Sequence, residues 1–377
     1  MSLREVIAEV IRREGPIPFS RYMDISLYHP REGYYMRSAE RFGRAGDFYT
    51  SSDIHAIFGR LLCRQFDEMW RALGCPSQLD LVELGPGRGL FAADVLDWAT
   101  KKFPEFAAAL RYRCMETSPD SCARISERLK PHVERGAASV HESLERAAEE
   151  LCENVVVFAN EFFDALPVEV LTSEGEVRVD VEGGRFVERF VPARPEVLAY
   201  VDRYSVHPAE GQRVEANLAA QEWTRRIAGL FGERRGFCVF VDYGYTRNEQ
   251  LAGRHLDTIM TYRAHQASPD PYAAPGEQDI TAHVNFTALA GEAERCGLSV
   301  EALLTQAAFL MGIGEQNEFG DALEECRLPQ ERAKRMLQLK HLVTPAGIGE
   351  VFQVLVLSRG VQADAARSLS GLRFRRQ

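Results

Sequence analysis

The sequence predicts an α/β fold with a mainly parallel central sheet, and two features carry this prediction. The first is the segment from Leu79 to Gly89, where a short apolar run ends abruptly in glycines at alternate positions. The second is a regular alternation of strand and helix patterns between residues 79 and 159, which specifies parallel strands joined by right-handed crossovers. A buried strand that runs into a ligand-binding turn therefore organises the chain.

The composition is that of an ordinary globular protein. The chain has 377 residues and is 45% hydrophobic, which is enough for one large or two ordinary domains. Its net charge of −10 argues against a non-specific nucleic-acid or anionic-membrane binder. Its eight cysteines include no Cys-x-x-Cys pair, so we expect reduced thiols, no metal site and a cytoplasmic location. No apolar run is long enough to span a membrane, and acidic residues within 1–14 argue against a targeting peptide.

The N-terminal part, residues 1–75, is predicted to contain helices and lid loops. Residues 46–53 combine aromatic, glycine and small polar side chains. They predict either a lid over a cofactor, with hydroxyls from Thr50, Ser51 and Ser52, or a plain Ω-loop packed on the core.

The remaining elements follow from hydrophobic periodicity. A nucleotide-binding core is predicted over 76–166 and 236–360, interrupted by an antiparallel and helical subdomain at 167–235 and by an insertion at about 246–288. A flexible tail is expected at 361–377. The predicted strands are 79–84, 111–116, 137–141, 154–159, 168–171, 176–181, 185–190, 236–245 and 351–357; the predicted helices include 54–73, 90–102, 119–130, 143–152, 215–231 and 303–311.

The glycine turn distinguishes between two classes of cofactor. Gly85, Gly87 and Gly89 can adopt positive φ and let a cofactor approach the backbone, although an ordinary tight turn has the same residues. A dinucleotide fingerprint needs Gly-x-Gly-x-x-Gly, and Leu90 stands at its third position here. The observed order is Glu-x-Gly-x-Gly-x-Gly, which disfavours a nicotinamide dehydrogenase.

Acidic and amide side chains follow the other strands. Glu116 comes after the second strand, where a ribose needs an acceptor, but it could equally be a surface acid at a helix start. Asn160, Glu161 and Asp164 follow the fourth strand and should face the same crevice as the glycines, the alternative being a capped helix start. Asp242 is either another crevice acid or the cap of its turn.

Three later residues are given structural roles by default. His283 is expected to be structural, as a lone histidine usually is. Asp279 and Thr281 are expected to cap the helix that follows them.

Together these motifs resemble the MidA-like S-adenosylmethionine (SAM)-dependent methyltransferases, whose mitochondrial members are assembly factors for respiratory complex I. The match covers about residues 15–357, with Ser52 departing from the proline that is common in the family. The matching segments are 27–35, 46–51, 82–89, 116–119, 160–167, 242–244, 275–284 and 305–310.

The resemblance implies a Rossmann-like SAM methyltransferase fold with inserted substrate-side elements, and it implies SAM as cofactor. Glu83 would help to hold the methionine part and Glu116 the ribose. Ser143 would contact the adenine, although it could simply be a helix N-cap. The full set of expected cofactor-binding residues is Glu83, Gly85, Pro86, Gly87, Gly89, Glu116, Thr117, Glu142, Ser143, Asn160 and Ser51.

The resemblance also implies a substrate class, because the mitochondrial relatives symmetrically dimethylate an arginine of a complex I core subunit. We therefore expect a protein partner that presents an arginine, with the oligomeric state left open. Carboxylates suit the orientation of a guanidinium and the acceptance of its proton. Glu161 and Asp164 are the first candidates, followed by Asp47 and His283. The rival hypotheses are methylation of a small molecule or another side chain, and a non-catalytic SAM-binding assembly chaperone.

Overall fold

The computed structural model describes residues 2–37, 56–263 and 266–375. The N-terminal elements are α1 (Leu3–Glu14), β1 (Ile17–Pro18), α2 (Phe19–Tyr28) and α3 (Ala56–Ala72). The predicted lid residues 46–53 lie outside the described residues, and with them the candidates Asp47 and Ser51.

The first half of the central sheet consists of parallel strands. Its order is β4, β3, β2, β5. The strands β3 and β4 lie on one side of β2 and the next strand, β5, lies on the other side, so the strand order reverses at β2. Ligands bind at the carboxyl ends of the strands where such a reversal occurs. The elements are β2 (Leu79–Leu84), α4 (Leu90–Lys102), α5 (Pro104–Ala109), β3 (Leu110–Met115), α6 (Pro119–Arg128), α7 (Lys130–Glu134), β4 (Ala138–His141), α8 (Leu144–Glu149) and β5 (Asn154–Asn160).

The segment after β5 leaves this sheet and builds a separate antiparallel one, which also takes in β1. In this second sheet β7 pairs with β1, β6 and β8, and β6 pairs with β9. The elements are β6 (Glu169–Thr172), β7 (Gly175–Glu182), β8 (Arg185–Val191), α9 (Pro195–Tyr204), β9 (Arg213–Ala216) and α10 (Leu218–Phe231).

The C-terminal part completes the central sheet. Here β10 pairs parallel with β5, and β16 inserts antiparallel between β10 and β15. A small antiparallel sheet of β11, β12 and β13 lies between β10 and α12 in the chain. The elements are β10 (Arg235–Tyr245), α11 (Arg247–Leu251), β11 (Met260–Arg263), β12 (Gln266–Ser268), β13 (Asp279–Thr281), β14 (Val284–Asn285), α12 (Phe286–Arg295), β15 (Ser299–Thr305), α13 (Gln306–Glu315), α14 (Gly320–Leu323), α15 (Pro329–Val343), β16 (Phe352–Arg359), α16 (Ala363–Arg367) and a 3₁₀ turn (Ser370–Leu372).

The two faces of the central sheet are covered by different helices. Leu81 on one face packs in a core with residues of α3 and α4, whereas Val82 on the other face packs with residues of α10 and α12. Strand β5 is buried along 154–159 because both of its faces are covered, which explains its continuous apolar sequence. The predicted α/β fold with a mainly parallel sheet is confirmed.

Two predicted helices begin later than expected. Residues 213–216 form β9, and the helix starts only after Asn217, whose side chain accepts a hydrogen bond from the amide of Ala220. Residues up to 305 form β15, and the next helix is capped in the same way by Thr305. In both places an apolar strand runs into a capped helix, so hydrophobicity alone places the boundary too early.

Residues 363–375 differ from the expected flexible tail. Leu369 and Leu372 are buried against the helices of the core. The amides of Ser370 and Gly371 donate hydrogen bonds to Glu68 and Gln65 of α3, at 2.8 and 2.9 Å. Two apolar side chains and two backbone contacts therefore fix this segment on the core.

Candidate active site

The glycine turn between β2 and α4 has the conformation that its sequence requires. Gly85, Gly87 and Gly89 have φ of +63°, +55° and +69°, in the region that favours glycine. A Cβ on Gly85 or Gly89 would meet Phe162 or Ile125 at 3.2 Å, whereas a Cβ on Gly87 would meet nothing within 4 Å. Backbone at Gly87 therefore borders open space that a ligand can approach.

Glu83, two residues before the turn, is a buried carboxylate at the end of β2. It lies on the same face of the strand as Leu81, since side chains alternate along a strand. Its carboxylate accepts a hydrogen bond from the Tyr112 hydroxyl of β3 at 2.8 Å. Burial raises the pKa of Glu83 to about 8, against the opposing effect of that hydrogen bond. A cationic ligand group would be a favourable partner for it.

The ends of β3 and β4 lie along the same edge of the sheet. Glu116 directly follows β3, and its side chain accepts a hydrogen bond from the amide of Ser118 at 2.8 Å. Thr117 and Glu142 are exposed. The Ser143 hydroxyl accepts a hydrogen bond from the amide of Arg146 at 3.3 Å, so this residue serves as the N-cap of α8. That is the alternative role that the sequence left open for it.

The turn after β5 combines an unpaired amide oxygen with an uncommon backbone conformation. The Oδ1 atom of Asn160 is buried and has no hydrogen-bond partner, while its Nδ2 donates to Glu161 at 3.2 Å. Glu161 has a φ of +50°, a region that non-glycine residues seldom occupy. Unpaired buried oxygens and strained backbone both tend to occur at ligand sites.

Asp242 of β10 holds this turn in place. Its Oδ2 accepts hydrogen bonds from the amides of Phe162, Phe163 and Asp164 at 3.2, 3.0 and 3.3 Å. Its Oδ1 accepts one from the amide of Tyr243 at 3.0 Å. The side chain is completely buried, and this burial, with the nearby Asp164 and Glu161, raises the pKa of Asp242, whereas the amide hydrogen bonds act in the opposite direction. Asp242 is thus the cap of the turn, one of the two roles predicted for it.

Asp164, in the same turn, is bound very differently. One carboxylate oxygen accepts a hydrogen bond from the Tyr243 hydroxyl at 2.5 Å. The other oxygen, Oδ1, is buried and has no partner. Burial raises the pKa of Asp164 to about 6, although the Tyr243 hydroxyl and nearby amides act in the opposite direction. The residue is therefore a half-satisfied buried acid.

His283 packs against Tyr243, with the two rings edge to face at 5.4 Å. Its Nδ1 lies 3.1 Å from Nδ1 of His255, so one ring donates and the other accepts. Burial and the proximity of His255 lower the pKa of His283 to about 4. His283 is consequently neutral near pH 7 and supports the Tyr243 ring.

Asp279 and Thr281 do not cap a helix, because residues 279–281 form strand β13. The helix that follows begins at Phe286 and is capped by Asn285, whose Oδ1 accepts the amide of Ala288 at 3.1 Å. Asp279 is instead buried, and both of its oxygens lie within 2.9 Å of the Tyr35 hydroxyl.

Tyrosines from separate segments surround Asp164, and sequence reasoning did not select them. Tyr28 donates a hydrogen bond to the backbone oxygen of Ala165 at 3.0 Å and stacks on Tyr35 at 5.6 Å. Burial raises the pKa of Tyr28, with further contributions from Asp279 and Asp164. The signal for these rings was their position in the matched segment 27–35.

The described residues fit a nucleotide-like cofactor. They provide open space at Gly87, an unpaired buried oxygen on Asn160, an acid at the end of β2 and another directly after β3. Within 2–37, 56–263 and 266–375, no group of His, Cys, Asp or Glu side chains is arranged to hold a metal ion. Within the same ranges, no helix combines the length and the apolar character needed to cross a bilayer.

Curated relatives cover most of the chain. It is 32% identical to the protein named "Protein arginine methyltransferase NDUFAF7 homolog, mitochondrial" from Drosophila melanogaster, over 96% of this chain and 86% of that protein. It is 29% identical to the human protein named "Protein arginine methyltransferase NDUFAF7, mitochondrial", over 92% of this chain and 81% of that protein. The predicted cytoplasmic location is wrong by this comparison, since these relatives are named as mitochondrial proteins. Cysteine usage and net charge do not separate the cytosol from other reducing compartments.

A solved structure is similar over the full length. It is a COG1565 superfamily member from Burkholderia thailandensis, determined with bound S-adenosyl-homocysteine, and it superposes with a TM-score of 0.84 at 29% identity. The alignment covers 100% of this chain and 95% of that one. In addition, residues 61–304 match the family model described as "Putative S-adenosyl-L-methionine-dependent methyltransferase". The chain therefore belongs to this family and is a SAM-dependent methyltransferase.

Proposed function

We propose that this enzyme methylates a guanidinium nitrogen of an arginine in a partner protein. The observation that carries the proposal is Asp164, a buried acid whose Oδ1 has no hydrogen-bond partner. A cationic N–H group would supply the missing partner and stabilise the ionised carboxylate. The names of the relatives as protein arginine methyltransferases support the same substrate class.

On the cofactor side, SAM supplies an activated methyl group when it is bound. Glu83 is suited to the cationic amino group of its methionine part, because that charge favours the ionised carboxylate. Glu116 and Thr117 are suited to the ribose, and Glu142 and Ser143 to the adenine. The backbone at Gly85, Pro86, Gly87 and Gly89, with the Asn160 amide, completes the proposed cofactor site.

On the substrate side, a guanidinium needs orientation and an acceptor for one proton. Since Tyr243 already occupies Oδ2 of Asp164, Oδ1 remains for an arginine N–H. We assign the second contact to Glu161, which lies in the same turn, so that two carboxylates fix the plane of the cation. When the nitrogen gains a methyl group it releases one proton, and Asp164 with its raised pKa is the proposed acceptor.

The partner that we propose is a subunit of a respiratory complex. This part of the proposal depends on the resemblance to the MidA-like family, whose mitochondrial members act in complex I assembly. It is the finer level of the proposal, and it is tested separately from the chemistry.

The chemistry is tested with methyl-labelled SAM and arginine-containing peptides, with mass spectrometry to locate the transferred methyl group. We expect label on a guanidinium nitrogen, and we expect Asp164→Asn to reduce the rate at least 100-fold. The matched control is Asp202→Asn, whose side chain is 65% exposed and pairs with His207, and which should keep the wild-type rate. Glu161→Gln should also reduce the rate while leaving SAM affinity unchanged.

Two outcomes would contradict the proposal. Label on a lysine, a carboxylate or a small molecule would replace arginine as the substrate class. Binding of SAM without any transfer to a panel of respiratory-complex subunits would favour the assembly chaperone. A full rate for Glu161→Gln would remove that residue from the proposed pair.

A further inference from the structure

We infer that Tyr28 and Tyr35 form an aromatic wall beside Asp164 that selects a planar cation, so that the site beside Asp164 binds a guanidinium in preference to an ammonium. This inference rests on the proposed function and deepens it. It assigns a substrate-binding role to the N-terminal segment, which lies outside the part of the chain that matches the family model.

The two rings are held by their own hydroxyl groups. The Tyr28 hydroxyl donates to the backbone oxygen of Ala165, the residue next to Asp164, at 3.0 Å. The Tyr35 hydroxyl is tied to the buried carboxylate of Asp279 at 2.8–2.9 Å. The rings stack with an interplanar angle of 23° and a centroid distance of 5.6 Å. Because both hydroxyl groups are already hydrogen-bonded, the half-buried rings would contact a ligand through their aromatic surface.

The wall lies beside the proposed substrate acid, since Tyr28 contacts the residue next to Asp164. After burial, the carboxylates that raise the pKa of Tyr28 include those of Asp279, Asp164 and Glu116. Asp164 and Asp279 also raise the pKa of Tyr35, in addition to the effect of burial. The electrostatic effect of Asp164 on both rings thus agrees with the contact that Tyr28 makes to the neighbouring Ala165.

This combination of groups favours a guanidinium for a physical reason. A guanidinium is planar and weakly hydrated, so it can stack on an aromatic face while its edge donates to a carboxylate. A lysine ammonium is a strongly hydrated point charge and has no planar face to stack. Tyr28 and Tyr35 provide the face, and Oδ1 of Asp164 provides the acceptor.

The experiment measures binding without turnover. The protein is saturated with S-adenosylhomocysteine and titrated by calorimetry with N-acetyl-arginine-amide and with N-acetyl-lysine-amide. We expect the arginine derivative to bind at least fivefold more tightly to the wild type. Tyr28→Leu should remove most of this preference, whereas Tyr28→Phe, which keeps the ring, should retain it. Tyr35→Leu should act in the same direction, because Tyr35 supports the ring of Tyr28.

Each alternative result has a clear meaning. Equal binding of the two derivatives to the wild type, or an unchanged preference in Tyr28→Leu, would overturn the inference. Weaker binding of S-adenosylhomocysteine by folded Tyr28→Leu would also overturn it, because the wall would then belong to the cofactor. Failure of the proposed function is distinguishable. In that case arginine preference would persist in the binding assay while the label in the methylation assay appeared elsewhere.

Discussion

Two buried aspartates beside the same turn show how differently a carboxylate can be used. Asp242 accepts hydrogen bonds from four backbone amides through its two oxygens. Asp164 accepts one tyrosine hydroxyl on Oδ2 and leaves Oδ1 buried without a partner. Asp164 follows β5 and Asp242 lies near the end of the neighbouring parallel strand β10, and by sequence both were candidates for the crevice.

The number of hydrogen bonds that each carboxylate accepts, and not its burial or position, separates the structural acid from the candidate functional one. A saturated carboxylate has no acceptor left for a substrate, and its removal harms the fold. A half-satisfied carboxylate costs stability and gains a partner only when a ligand arrives.

The largest effect should come from Asp242→Ala. The substitution leaves buried amides of residues 162–164 and Tyr243 without acceptors, and we expect it to lower the free energy of unfolding by about 4 kcal/mol. Urea unfolding followed by circular dichroism measures this. Asp202→Ala, at an exposed position, should change stability by less than about 0.5 kcal/mol. A loss below about 1 kcal/mol for Asp242→Ala would show that water can replace the carboxylate.

Asp164→Asn should instead stabilise the protein at alkaline pH. The folded-state pKa of Asp164 is raised to about 6 from 3.8, so the ionised acid is a penalty that grows as pH rises between these values. Asparagine can still accept the Tyr243 hydroxyl and carries no charge. We therefore expect a gain of about 1–3 kcal/mol at pH 8 and almost none at pH 3.5. A loss of stability at pH 8 would indicate that Asp164 has a structural partner.

Much of the fold could be predicted from sequence, because strand and helix periodicity are local signals. The continuous apolar run of β5 and the glycine turn after β2 are examples, and both have the predicted form. Boundaries failed where a polar cap and not hydrophobicity decides them, as at Asn217 and Thr305. The C-terminal segment was misjudged because its contacts with α3 involve backbone amides, which leave no trace in the sequence.

The candidate site was predictable only as a set of strand ends. Topology brings Glu83, Asn160 and Asp164 to one edge of the sheet, and that follows from the alternation of strands and helices. Asp164 was among the first candidates, but the role of Asp242 stayed open between a crevice acid and a cap, because it depends on where the turn amides point. Tyr28 and Tyr35 could not be placed beside Asp164, since their segment is joined to it only through tertiary contacts more than 130 residues apart in sequence, such as that of Tyr28 with Ala165.

The buried histidine pair shows the corresponding effect of burial on a basic group. The pKa of His283 is lowered to about 4 from 6.5, so unfolding takes up a proton between these values and wild-type stability falls as pH falls through them. We expect His283→Gln to remove this pH dependence. The stability of the variant relative to the wild type should therefore be about 2 kcal/mol greater at pH 4.5 than at pH 8. Urea unfolding at both pH values measures it. An unchanged difference would mean that His283 has the same pKa in the folded and the unfolded chain.

The smallest change in stability should accompany the largest change in cofactor binding. Gly87→Ala and Gly136→Ala both place a Cβ in open space at positive φ, +55° and +74°, so each should lower the free energy of unfolding by about 1 kcal/mol. The two glycines differ in what borders them, since Gly87 follows β2 at the reversal of the sheet and Gly136 lies in a turn before β4. Calorimetric titration with SAM should show at least a tenfold loss of affinity for Gly87→Ala and none for Gly136→Ala. Equal SAM affinity in the two variants would mean that the space beside Gly87 belongs to solvent and not to the cofactor. An unpaired buried oxygen, as on Asp164, would then still indicate a ligand site. Open space beside a glycine backbone, as at Gly87, would not.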